Sequence, residues 1–132
     1  MVWWTVAERP SEISLWFRET RGFTAVLDDY FGGDEHLRLL QLLLVRDPEA
    51  GSVMPGCGGA RKIRWPDPRR SKGKRGGLRI IYLHVPAAQN ILLIDVYNKD
   101  EMEDISPQDK KEIRALADQY RREVLEEIER KR

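Results

Sequence analysis

The chain has 132 residues, 41% of them hydrophobic, with 23 Lys and Arg against 22 Asp and Glu for a net charge of +1. That size suits one domain with a real core. The longest apolar run, Leu39 to Val45, is interrupted by Gln41 and is far too short to cross a bilayer. One cysteine, Cys57, rules out an intrachain disulfide framework and agrees with a reducing cytoplasm, and with only two His residues a structural zinc site is not expected.

Residues 1–12 show no clear period and read as a short extra strand or an extension ahead of a single domain, 13–132. The opening has no basic region before its apolar residues, so no secretory signal is expected. Ile13 to Thr20 alternates as a strand does. Phe23 to Phe31 reads as a short helix stopped by Gly32-Gly33. Asp34 can cap a second helix, Glu35 to Arg46, with Leu37, Leu40 and Leu44 on one stripe; Asp47-Pro48 ends it.

A glycine-rich turn over 51–59 leads into a strand, Ala60 to Trp65. Pro66 to Gly77 is a polar, cationic loop. Leu78 to Val85 and Ile91 to Tyr97 carry the strongest strand signals, and their five-residue spacing predicts an antiparallel hairpin. Ser106-Pro107-Gln108-Asp109 starts a last helix whose Ile113, Leu116, Tyr120, Val124 and Ile128 form an apolar stripe. The expected order is β-α-α-β-β-β-α, an α+β fold in which a small antiparallel sheet packs on two to three helices, the two long ones on one side.

The near-neutral total hides a segregation of charge. Residues 1–50 carry −4, residues 51–99 carry +8 and residues 100–132 carry −3. Nine of the ten central cations fall between Arg61 and Arg79. Such a block repels itself unless an anion lies opposite, and a polyphosphate is the usual anion. Side chains alternate along strands, and a register exists in which Lys62, Arg64, Arg79 and Tyr97 gather on one open face beneath the Lys72-Gly73-Lys74-Arg75 loop. Leu92, Ile94 and Val96 would then lie under the helices. A register slipped by one residue scatters the group. Composition alone does not separate a phosphate-binding module from a phosphate-cleaving enzyme.

The ordered segments GSVMPGCGGARKIRW, SKGKRGGL with the following RIIY, and LLIDVYNKDE resemble the RelE/HigB superfamily, the toxin halves of bacterial type II toxin–antitoxin pairs. The likeness is nearest to the HigB-like branch and covers roughly residues 13–120. Cys57, Asp95 and Asn98 depart from that branch's usual residues. The resemblance implies a RelE-like microbial ribonuclease fold and an mRNA interferase, an endoribonuclease that cuts mRNA in the ribosomal A site and inhibits translation. It also implies a helix-turn-helix antitoxin of the HigA type that masks the basic face and joins the toxin on operator DNA. No cofactor, metal or membrane is implied.

Cleavage through the 2′-hydroxyl needs a base, cations for the charge on pentavalent phosphorus, and an acid for the 5′-oxygen. Arginine cannot be the base because it stays protonated. Lys62, flanked by Arg61 and Arg64, is the first candidate, since crowded cations disfavour an ammonium; Lys72, Lys74, Lys99 and Tyr97 are the others. The resemblance supports Lys62 and Arg64 as cationic positions and Arg79 as the phosphate clamp. Tyr97 would stack on a base or orient the hydroxyl, and Lys99 would protonate the leaving oxygen. Arg61, Lys72, Lys74 and Arg75 are expected to hold RNA. The rival expectations are a nucleic-acid-binding module without catalysis, or a degenerate toxin acting through protein contacts.

Overall fold

The computed structural model describes residues 4–6 by their backbone, and residues 15–68, 77–102 and 104–131 in full. Among the described residues six strands, β1 (Trp4–Val6), β2 (Trp16–Thr20), β3 (Ser52–Val53), β4 (Arg61–Trp65), β5 (Leu78–Val85) and β6 (Asn90–Asn98), form one sheet in the order β1-β2-β6-β5-β4-β3. The helices are α1 (Arg21–Phe31), α2 (Asp34–Arg46) and α3 (Pro107–Arg130). The fold is α+β, as expected from the alternation of apolar periods, and β1 is the short extra strand, antiparallel to β2. Ile13 and Ser14, the expected start of β2, lie outside the described residues.

Two expectations are corrected. The sheet is mixed, because β2 runs parallel to β6; the chain between them builds two helices and three other strands, and a parallel pair needs a crossover of that kind. The long helices also lie on opposite faces. Phe23, Phe31, Leu40 and Leu44 of α1 and α2 pack with Phe17, Ile63, Ile80, Tyr82 and Leu93. Ile113, Ala117, Tyr120 and Val124 of α3 pack with Ile81, Leu83, Val85, Leu92 and Ile94. Both faces of β5 and β6 are apolar over most of their length, so cover on one side alone would leave large side chains in water, at about 1.5–3 kcal/mol each.

Helix ends follow local chemistry. Thr20 caps α1, its Oγ1 accepting from Phe23 N at 3.0 Å. Asp34 is the first residue of α2 rather than its cap, which is Gly33. Ser106 Oγ accepts from Asp109 N at 3.1 Å, and Pro107 opens α3. The β5–β6 connection is a single 3-10 turn, Pro86–Ala88, closed by Gln89.

A bulge breaks strict alternation in β6. Ile81 pairs with Asp95 but Tyr82 pairs with Leu93, leaving Ile94 as an extra residue. Leu92 and Ile94 therefore face α3 while Val96 joins Leu93 beneath α1 and α2, so the expected common face of Leu92, Ile94 and Val96 does not form. A bulge strands a carbonyl, and here Thr20 Oγ1 donates to Ile94 O at 2.7 Å. One hydroxyl thus caps a helix and satisfies the bulge.

Candidate nucleic-acid interface

The bulge decides the site. On the strand before it, Leu83 opposes Leu92; beyond it, Arg79 opposes Tyr97. Across β4, Arg64 opposes Arg79 and Lys62 opposes Ile81. Arg64, Arg79 and Tyr97 therefore form one row on three adjacent strands, where directly opposed residues sit about 4.5–5.5 Å apart. Lys62 and Asp95 flank Ile81 in the next row, on the same face of the sheet as α3.

Burial within the row is graded. Arg64 and Lys99 are exposed, whereas Arg79 is 8% and Tyr97 3% exposed. The Arg79 guanidinium donates from Nη1 to Leu78 O at 3.2 Å. Among the described residues the buried Tyr97 hydroxyl has no hydrogen-bond partner. A buried hydroxyl left unpaired costs about 1–3 kcal/mol, which an oxygen of a ligand reaching the row would relieve.

Lys62 Nζ lies 3.5 Å from Asp104 Oδ1, and Lys110 of α3 lies 3.5 Å from Asp104 Oδ2. The Ile105 N–H bonds the Asp104 carboxylate and, with the two ammonium groups, holds it below the usual range against the opposing effect of burial. Lys62 must leave Asp104 before it can act on a substrate.

Asp95 is the group that sequence reasoning missed. Burial pushes its carboxyl above the usual 3.8, against the pull of the Val96 N–H at 2.9 Å, with Asp109 adding to the rise. That makes it a proton acceptor suited to milder pH than an ordinary carboxylate. The bulge that exposes Asp95 to the α3 face leaves no trace in the alternating pattern of residues 91–97.

The ends of the basic loop are tied beside the row. Asn98 Nδ2 donates to Asp67 Oδ2 at 2.6 Å, and Lys99 N donates to Gly77 O at 2.9 Å. Both anchors are at the end of β6 that carries Tyr97. Lys72, Lys74 and Arg75 lie outside the described residues. Arg61, by contrast, is not with the group. It opposes Tyr82, on the sheet face of α1 and α2. Its guanidinium donates to Gly51 O at 2.7 Å and Glu49 O at 3.3 Å, with Glu49 Oε1 at 3.9 Å. Alternation turns Arg61 away from Lys62, its neighbour in sequence.

Two glycines hold β4 in place. A Cβ at Gly51 would meet Tyr82 Cε1 at 2.9 Å; the Tyr82 hydroxyl accepts from Gly51 N at 2.9 Å and donates to Pro48 O at 2.8 Å. Gly58, at φ +67°, brings the 54–60 turn within 3.0 Å of Ala117 for such a Cβ, and Arg121 donates to its carbonyl. His84 is half-buried opposite Ile91, on the face away from the row, and burial lowers its affinity for a proton. Cys57 is fully buried. Among the described residues no cluster of His, Cys, Asp and Glu could hold a metal ion, and no helix is long and apolar enough to cross a membrane.

No protein family model matches the chain. Two arginines at paired positions of adjacent strands suit a phosphodiester, since a guanidinium can donate a planar pair of hydrogen bonds to phosphate oxygens. Tyrosine and a carboxyl of raised proton affinity lie within a row of them.

Proposed function

We propose that this chain is a ribosome-dependent mRNA endoribonuclease of the RelE/HigB toxin type, with the RelE-like ribonuclease fold, held in check by a helix-turn-helix antitoxin. The observation that carries the reading is the Arg64–Arg79–Tyr97 row across three neighbouring strands. Arg79 and Arg64 hold the scissile phosphate and offset the charge that grows on it. The Tyr97 hydroxyl orients the attacking 2′-hydroxyl. Asp95 or Lys62 takes the proton, and Lys99 gives one to the departing 5′-oxygen, leaving a 2′,3′-cyclic phosphate and a 5′-hydroxyl.

Arginine is suited to the phosphate role because it stays charged beside other cations. Burial of Arg79 adds weight to its interaction with an anion, since a charge in a less polar surrounding is screened less. The second reading, a phosphate-binding module that does not cut, is favoured by the Lys62–Asp104 pair, which occupies that lysine.

The two readings part on product chemistry. Programmed ribosomes are mixed with the purified chain and the mRNA ends are mapped. Cyclic-phosphate ends appearing with ribosomes, and falling at least about tenfold for Arg79→Ala, support the nuclease. Salt-sensitive binding with intact mRNA supports the module. Co-expression of the adjacent gene product tests the antitoxin: it restores growth and occludes Arg64 if the partner masks this face.

A further inference from the structure

The sheet face opposite the cationic row carries α2, and the outer side of α2 has a pattern of its own. Glu35, Leu39, Leu42 and Arg46 are spaced by four, three and four residues, so at about 100° per residue they fall within an arc of about 60°. That arc lies opposite Leu40 and Leu44, which α2 buries. All four are exposed, Leu39 at 48% and Leu42 at 42%, and Leu43 is exposed on the flank. Among the described residues neither Glu35 nor Arg46 forms an ion pair or side-chain hydrogen bond.

We propose that this stripe is the contact of a two-fold symmetric homodimer in which α2 packs antiparallel against α2 of a second copy. Reversing the helix about the point between Leu40 and Gln41 sets Leu39 against the partner's Leu42, and Glu35 against the partner's Arg46. The stripe maps onto itself with its charges exchanged. A two-fold interface requires that self-complementarity, because each patch must recognise its own copy. An unrelated partner would have no need of it. The acidic start and basic end of α2 also meet head to tail in this arrangement, which suits both helix dipoles.

One helix pair buries much less than the roughly 1,600 Å² of a standard interface. The association is therefore weak, in the micromolar to millimolar range. The dimer leaves the cationic row free, and it stands or falls independently of the nuclease reading.

Sedimentation equilibrium of the full chain, up to about 1 mM, tests the proposal. The weight-average mass should rise from that of one chain toward that of two. Leu39→Ser with Leu42→Ser should abolish the rise. Glu35→Arg alone and Arg46→Glu alone should each weaken association by about tenfold, through like charges brought together twice. An equimolar mixture of those two single variants should associate as the wild type does, because every pair is then opposite in sign. Far-UV circular dichroism confirms the fold of each variant, all changes being on exposed positions. A mass that stays monomeric, a rise toward larger oligomers, a dimer indifferent to these variants, or a mixture no stronger than its components overturns the proposal.

Discussion

The face of the sheet beneath α1 and α2 and the face beneath α3 are built from the same strands, yet one is closed and the other is divided. Under α1 and α2, Phe17, Ile63, Leu78, Ile80, Tyr82 and Leu93 form one apolar cluster from strand to strand, with Arg61 at its edge beside Tyr82. On the α3 side, Leu83, Val85 and Leu92 lie beneath the helix, and the same face then changes to Arg79 on β5 and to Arg64 and Lys62 on β4. A sheet needs apolar cover to stand, and it can present charge only where the cover on one face is interrupted and the face behind remains sealed. Arg79 sits with Leu78 and Ile80 of the sealed core on either side of it in sequence, so its position is held by packing that the cation itself does not supply.

Removing cover from the closed face should have the largest effect. Phe31→Ala should cost about 3–5 kcal/mol, measured by urea denaturation, with activity lost only in proportion to unfolding. A smaller loss comes from the hydroxyl that joins the two faces. Thr20→Val removes the α1 cap and leaves the bulged Ile94 carbonyl unpaired, for about 2 kcal/mol; a stability equal to wild type would mean that the bulge does not depend on it.

On the divided face the sign of the comparison reverses. Arg64→Ala, at an exposed position, should leave the melting temperature within a degree or two, a change of about 0.5 kcal/mol or less. It should lower mRNA cleavage at least about tenfold, equivalent to ~1.4 kcal/mol. A variant that loses stability and activity together would break the distinction between the faces.

The smallest effect should be a gain. Burial raises the Asp95 proton affinity above the usual 3.8, so the folded state holds this proton more tightly than the unfolded chain. Its contribution favours folding below about the ordinary carboxylate pH and is lost as pH rises through the higher folded value. At neutral pH the buried charge is a cost. Asp95→Asn should therefore raise the thermal midpoint at neutral pH, keep the bond from Val96 N, and converge on wild type as pH falls below the ordinary carboxylate value. If Asp95 also takes the proton in cleavage, the same variant is less active while more stable. A midpoint that falls on this substitution at neutral pH would show that the Asp95 charge is welcome where it lies.

Much of the fold was legible because it rests on local chemistry. The ends of α1 and α2 follow from Gly32-Gly33 and Asp47-Pro48, and the start of α3 from Ser106-Pro107. The hairpin of β5 and β6 follows from two apolar runs about as far apart as a short loop allows. The convergence of Lys62, Arg64, Arg79 and Tyr97 on one face was also readable, as one of the registers the pattern permits, but that face is the one α3 packs on and not an open one, and Arg79 and Tyr97 are buried in it. What misled was strict alternation. It put Val96 with Leu92 and Ile94, because a bulge adds one residue without marking it.

The sequence by itself determined the charge segregation, the ends of α1 and α2, the start of α3 and the strands β4, β5 and β6, since each depends on residues near one another along the chain; the two-residue β3 falls inside the expected turn over 51–59. Only the tertiary structure decided that the helices divide between two faces, that β2 lies parallel to β6, and that Arg61 is turned away from the row. Those outcomes depend on which distant segments pair and in what register. In a sheet, a shift of one residue exchanges the buried and the open side of every position beyond it.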